Sequence, residues 1–261
     1  LLVAAIVVLG IALRLWQYLA DTSMWFDEFS IARNVTERSL AELLTKPLGF
    51  AQTAPLGFLA AIDLSSTSFG PSDMSLRIFP FVCGIAALFL FWRLATRALS
   101  GTAVPVAVLL FAISAPLIRY SAELKQYGGD VVVILGLTIV ALDLCARVPT
   151  VRRCVTAGAL GFVSILFSQA SVLVLAGLGA ALTLRWMLVR GAQARRPVII
   201  VVPRWALAAG LGLLCARTHT ADSTLAFMHW FCLRGLLPLP FSSGVTALVL
   251  RVCVVYVFSS V

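Results

Sequence analysis

Two adjacent carboxylates, Asp27 and Glu28, follow directly on the apolar run 1–20, in the stretch MWFDEFSIARN from Met24 to Asn34. Acids at the rim of a bilayer can accept a proton or hold a cation, and Trp25 and Phe26 suit the headgroup belt beside them. Adjacent residues on a helix point about 100° apart, so the two carboxylates cannot share one face. One can meet a substrate while the other pairs with a cation or a metal. On position alone, an ordinary pair of interfacial acids reads equally well.

A second cluster lies in LIRYSAELKQYGGD, Leu117 to Asp130, where Arg119, Glu123, Lys125 and Asp130 sit among Tyr120 and Tyr127. Ionisable groups in a short loop between spans point to a site, the plainer alternative being snorkelling side chains. A third element, Ser223 to Gly244, reads as an amphipathic helix and a loop broken by Pro238 and Pro240, either a lid or a simple linker. Asn34-Val35-Thr36 matches a glycosylation acceptor, a tripeptide common by chance, and is assigned no role.

The elements that must position these groups are membrane spans. The chain is 61% hydrophobic and 12% charged, with a mean hydropathy of +1.03, which excludes a soluble globular domain and defines a polytopic membrane protein. Runs long enough to cross the hydrocarbon are expected near 1–20, 75–96, 101–118, 129–146, 154–169, 171–189, 197–216 and 244–261. They leave no room for a separate soluble domain, so residues 1–261 read as one transmembrane module. The first run lacks the basic start and the cleavage site of a signal peptide and is read as a retained span. The chain begins without methionine and stops inside an apolar run, which gives the expectation of a truncated relative of a longer protein.

The net charge of +9 is spread singly or in pairs beside the spans, with no basic stripe, so no nucleic-acid partner is expected. Six cysteines show no CxxC spacing and read as small core residues; His219 and His229 are too far apart for a metal pair on one helical face. Basic residues in short loops favour the cytoplasmic side. Three acid-free loops carry Arg93 and Arg97; Arg147, Arg152 and Arg153; and Arg185, Arg190, Arg195 and Arg196. Setting all three inside puts 21–74, 119–128, 168–170 and 217–243 outside, with Asp143 the exception among the acids. The segment 54–70 must then be interfacial or re-entrant, since a span there would invert every later loop. The first outer loop is therefore long and is expected to carry two juxtamembrane helices, and loops of this length are usually functional.

Taken in order, WFDEFSIARN, TAPLGFL, SLRIFPFVCGIAALFLFWRLA and PLIRYSAELKQYGGD resemble the polyprenyl-phosphate-dependent GT-C glycosyltransferases of family 39. Relatives in that family include protein O-mannosyltransferases, the aminoarabinose transferases that modify lipid A, and Rgt-type bacterial enzymes that glycosylate lipopolysaccharide core. The resemblance runs from Leu13 to Asp130 and continues faintly through FMHWFCLRGLLPLP. It implies an all-α GT-C-like bundle in a bacterial plasma membrane, with the active site on the outer face. It also implies that the acid after the first span, Asp27, is the catalytic base with Glu28 beside it, and that Glu123 and Lys125 are the acid and cation of the second outer loop. The family's usual Pro-Pro is Ala54-Pro55 here, and later spans and an outer domain are missing.

The chemistry implied is transfer of a sugar from a polyprenyl-phosphate donor to a cell-envelope hydroxyl acceptor. Such transfer needs a base at the attacking oxygen and positive charge where the phosphate leaves. Asp27 fits the first task, while Lys125, Arg119 and Arg77 fit the second, with Tyr127 beside them in the substrate site. Direct displacement inverts the anomeric centre, and no second carboxylate nucleophile is required. Glu28 and Glu123 could hold a divalent cation, though arginine and lysine can replace it. The rival readings are a transporter, which predicts internal repeats and charged helices meeting at the midplane, and a non-catalytic membrane subunit or binder of lipid-linked substrate.

Overall fold

A computed structural model describes residues 1–219 apart from 51, 147, 190 and 191. The described residues form twelve helices and no strand. Five of them are long and apolar enough to cross a membrane: Leu2–Leu19, Ile78–Ala98, Tyr127–Ala146, Ser171–Val189 and Arg195–Arg217. The protein is thus an all-α membrane protein. The expected span 244–261 and the expected lid 223–244 lie outside the described residues.

In chain order α1 is Leu2–Leu19, α2 Phe26–Glu37, α3 Leu40–Thr45, α4 Leu56–Phe69, α5 Asp73–Leu76 and α6 Ile78–Ala98. Then follow α7 Ala103–Ala112, α8 Ala115–Tyr120, α9 Tyr127–Ala146, α10 Val151–Phe167, α11 Ser171–Val189 and α12 Ala192–His219. The contacts fix the direction of each long helix. Tyr18 at the end of α1 stacks on Phe81 at the start of α6, with centroids 4.6 Å apart, so these two run antiparallel. Arg97 and Asp143 pair at 2.9 Å, placing the ends of α6 and α9 side by side. Arg185 donates to the Cys145 carbonyl at 2.6 Å and Arg196 to that of Pro149 at 3.4 Å. The described arginines of the three loops therefore gather at one end of the bundle, as charge parity predicts, and the acid clusters gather at the other.

The first long loop differs from expectation in holding four helices, α2 to α5, instead of two. They have a core of their own, in which Ile31, Val35, Leu43, Phe58, Leu59, Ile62, Leu76 and Leu124 are buried together. Segment α4, the predicted interfacial helix, buries Phe58, Leu59 and Ile62 on one side and exposes Leu64 and Phe69 on the other. Its Ser65 and Thr67 hydroxyls donate back to the carbonyls of Ala61 and Asp63, which lets a polar cluster remain helical. Asn34 is buried and fastens α2 to the following loop, accepting from the Gly49 N–H at 2.8 Å and donating to the Ser30 carbonyl at 2.7 Å. The glycosylation-like tripeptide is thus a structural pin.

The apolar run 101–118 is not one span but two helices, α7 and α8, interrupted at Ile113 and Ser114. Pro116 contributes to the break: it offers no N–H to the Ala112 carbonyl, and its ring suits the first turn of a new helix, where it sits in α8. Arg14, buried inside α1, supplies the missing donor, reaching the Gly10 carbonyl at 3.0 Å and the Ala112 carbonyl at 3.1 Å. In hydrocarbon an orphaned carbonyl has no water to turn to, so this contact decides whether the break is tolerable. Arg14→Met is expected to destabilise the detergent-solubilised protein by about 1–3 kcal/mol. In a Pro116→Ala background, where an N–H returns, the same substitution is expected to have a smaller effect, as read by a double-mutant cycle of thermal unfolding.

Candidate functional site

At the end of the bundle away from the arginine loops, the two neighbouring acids part company. Both open α2, where carboxylates complement the helix N-terminus. Glu28, at the third helical position, turns back into the protein and accepts the Trp25 N–H at 3.4 Å. Its carboxylate also accepts from Arg77 Nε at 3.2 Å, from Arg77 Nη2 at 3.1 and 3.2 Å, and from the Leu124 N–H at 2.7 Å. The side chains are 4% and 2% exposed. Arg77 spends its remaining nitrogen on the Thr22 carbonyl at 2.8 Å. A buried guanidinium–carboxylate fork thus joins α2, the α5–α6 junction, the loop after α1 and the loop 121–126.

Asp27 faces the other way and is 35% exposed. Its Oδ2 lies 3.4 Å from Lys125 Nζ, and its Oδ1 accepts from Gln52 Nε2 at 3.3 Å. Lys125, 8% exposed, also donates to Gln52 Oε1 at 3.0 Å, and its Nζ sits 5.9 Å from the centroid of the Trp25 ring. Burial pushes the Lys125 ammonium down from its ordinary range, while Asp27 acts in the opposite direction. Gln52 arrives by way of a tight turn in which Phe50 adopts φ 59, a left-handed conformation uncommon for a bulky residue, with Arg33 stacked 5.2 Å from its ring.

Beside this triad, across Trp25, opens a cavity of about 690 Å³ whose wall includes Thr22, Trp25, Glu28, Pro116, Arg119 and Glu123. Arg119 is 68% exposed, and its Nε lies 3.4 Å from the buried carboxylate of Glu123. Burial raises the Glu123 carboxyl above its usual range; Arg119 pulls it down and Glu28 pushes it up. Tyr127 packs on Tyr120 with centroids 4.7 Å apart. The loop that carries Glu123 and Lys125 lies tight against α6 at Gly84, where any added Cβ would collide with Ser121.

The predicted residues therefore assemble in two layers. Asp27, Lys125, Arg119, Glu123 and Tyr127 come together at the rim. Arg77, predicted to meet a leaving phosphate, instead lies beneath them, saturated by Glu28 and Thr22. The predicted metal role of Glu28 meets the same obstacle, because Arg77 and two backbone N–H groups already occupy its oxygens. Among the described residues no group of three or more His, Cys, Asp or Glu side chains is placed to share a metal ion. Gln52 was missed by sequence reasoning, since an amide in a Pro- and Gly-flanked loop carries no distinguishing signal. Compared with protein-family models, curated proteins and solved structures, the chain matches none.

The two acids are expected to separate in a stability measurement. Glu28→Gln leaves the buried Arg77 with only the distant, half-exposed Asp21, 3.7 Å away, as counter-charge and should destabilise the protein by about 3–5 kcal/mol. Asp27→Asn takes the carboxylate from Lys125, itself only 8% exposed, but leaves it the bond to Gln52 and the charge of Glu123, and should lose less, about 1–3 kcal/mol. Thermal unfolding of the two variants in the same detergent checks the order.

Proposed function

We propose that this chain is a membrane glycosyltransferase that moves a sugar from a polyprenyl-phosphate carrier to a hydroxyl of a cell-envelope lipid, glycan or protein. The observation that carries the reading is the division of labour between neighbours: Glu28 is saturated in the interior, whereas Asp27 is held at the rim with a face open to a substrate. A carboxylate that is to accept a proton needs a free lone pair, and Asp27 retains one. The ordered motifs of the family resemblance favour the same residue as base.

In the proposed reaction the acceptor hydroxyl gives its proton to Asp27 as its oxygen attacks the anomeric carbon. The bond from that carbon to the phosphate oxygen breaks on the opposite side, and the carrier phosphate departs with the electron pair. Configuration inverts in this single displacement. Arg119, the most exposed cation at the cavity, and Lys125, already oriented by Gln52, are positioned to offset the growing charge. Arg77 acts on this chemistry only through Glu28 and the Leu124 N–H, as a positioning residue. In this proposal the site end of the bundle faces outward from a bacterial plasma membrane, an orientation that the gathering of arginines at the other end supports.

Orientation is checked with a cysteine at Ser100, exposed at the arginine end. An impermeant thiol reagent should reach Ser100→Cys only after cells are permeabilised. Native Cys154, which serves that purpose on sequence grounds, is buried and a poor reporter. For the reaction itself, membranes carrying matched amounts of parent, Asp27→Asn and Arg119→Gln are given labelled polyprenyl-phosphate sugar. Asp27→Asn should lower transfer by about a hundredfold or more, and Arg119→Gln by about tenfold to a hundredfold. Full activity in Asp27→Asn removes it as the base.

A further inference from the structure

Away from this site, α9 forms the floor of an apolar groove walled by α6 and α10. The groove encloses about 530 Å³ and runs from Phe79, Gly129 and Phe167 at the site end to Arg93 and Asp143 at the arginine end. Along α6 that is about 21 Å at about 1.5 Å per residue, enough for one extended acyl chain within a hydrocarbon core of about 30 Å. Its floor is widened at Gly136, where an added Cβ would meet nothing within 4 Å. At the arginine end the groove passes without interruption into a second cavity of about 400 Å³, since Arg93, Val140, Asp143 and Leu160 line both.

That second cavity has an unbalanced charge. Its ionisable wall consists of Arg93, Arg97, Arg153 and Asp143. The one carboxylate is taken, because Asp143 Oδ1 accepts from Arg97 Nη1 at 2.9 Å. Among the described residues Arg93 and Arg153 face no carboxylate within ion-pair distance, and both are exposed. A pair of unpaired guanidiniums at the mouth of a long uncharged groove is complementary to an anionic headgroup on a hydrocarbon tail. We propose that the groove and its arginine mouth bind one anionic phospholipid, its phosphate on Arg93 and Arg153 and one acyl chain laid along α9.

The chemistry selects among lipids. Guanidinium forks bind a phosphate through paired N–H donors, and basic pockets between spans take anionic headgroups. A zwitterionic lipid brings an ammonium for which the one carboxylate in this wall among the described residues, Asp143, is already held by Arg97. The carrier proposed above would present its phosphate at the opposite end of the groove, so dependence on Arg93 and Arg153 distinguishes the two lipids. This binding requires only the membrane fold and stands whether or not the transfer reaction does.

The test uses the full 261-residue chain in phosphatidylcholine nanodiscs with a trace of phosphatidylglycerol or phosphatidylcholine carrying the same photoreactive acyl chain. Phosphatidylglycerol should label the α9 and α10 peptides about fivefold or more above phosphatidylcholine, in line with the attraction of basic residues for anionic headgroups. Arg93→Gln/Arg153→Gln should reduce it to the phosphatidylcholine level. Gly136→Leu, which fills the floor without striking a neighbour, should reduce labelling of those peptides by both lipids severalfold. Size-exclusion profiles matching the parent establish that the variants are folded; if the double variant is not, the two single variants should each give an intermediate loss. Equal labelling of the parent by both lipids, or labelling indifferent to the arginines, overturns the proposal. Displacement by unlabelled polyprenyl phosphate would reassign the groove to the carrier, and cross-links from α9 to residues 220–261 in place of lipid would reassign it to the chain itself.

Discussion

The arrangement at the rim depends on one buried ion pair, Glu28 with Arg77. Taking two charges out of water is expensive, and the expense is met only if nearly every lone pair and proton finds a partner. Here the carboxylate accepts from Nε and Nη2 of the guanidinium and from two backbone N–H groups, one of which belongs to Leu124. That last bond has the widest consequence. By fixing Leu124 it fixes its neighbours, Glu123 toward Arg119 and Lys125 toward Asp27. Each rim ion pair joins a buried partner from this loop to a more exposed one, and the anchor beneath them sets where the buried partners sit.

The membrane imposes the second constraint. A chain that delivers Arg119, Glu123 and Lys125 in one short loop must turn sharply where α7 would otherwise continue, and a break beside the fully buried Ala112 leaves a carbonyl that water cannot reach. Arg14 resolves this from the neighbouring helix. Among the described residues no carboxylate pairs with it, and its burial is explained as a backbone repair. The small core of α2 to α5 completes the arrangement, pressing the loop 121–126 from above through Leu124.

Much of this was legible in the sequence because apolar length and charge parity report directly on crossing and direction. The end at which the described arginines meet and the shortness of the 54–70 helix follow from such patterns, and the separation of Asp27 from Glu28 follows from helical geometry. Other features did not. The break at Ile113–Ser114 was hidden because hydropathy records how apolar a run is and ignores that Pro116 cannot donate. Arg77 was assigned to a phosphate because a cation at a span boundary looks the same whether it faces solvent or a partner 49 positions earlier. Gln52 and Asn34 act through hydrogen bonds to distant residues, and no local pattern announces them.

Adjacency on the helix then explains how two neighbouring acids come to occupy different surroundings. Helical geometry sends successive side chains about 100° apart, so a single turn can address the interior and the surface at once. Glu28 spends its oxygens on locating the loop that carries Lys125, and is thereby removed from proton transfer. Asp27, one residue earlier on the same rigid turn, takes its position from that anchor, while its own oxygens meet only Lys125 and Gln52, at 3.4 and 3.3 Å, on a side chain 35% exposed. A carboxylate located largely by its neighbour's bonds can carry fewer of its own and so keeps unused lone pairs toward solvent.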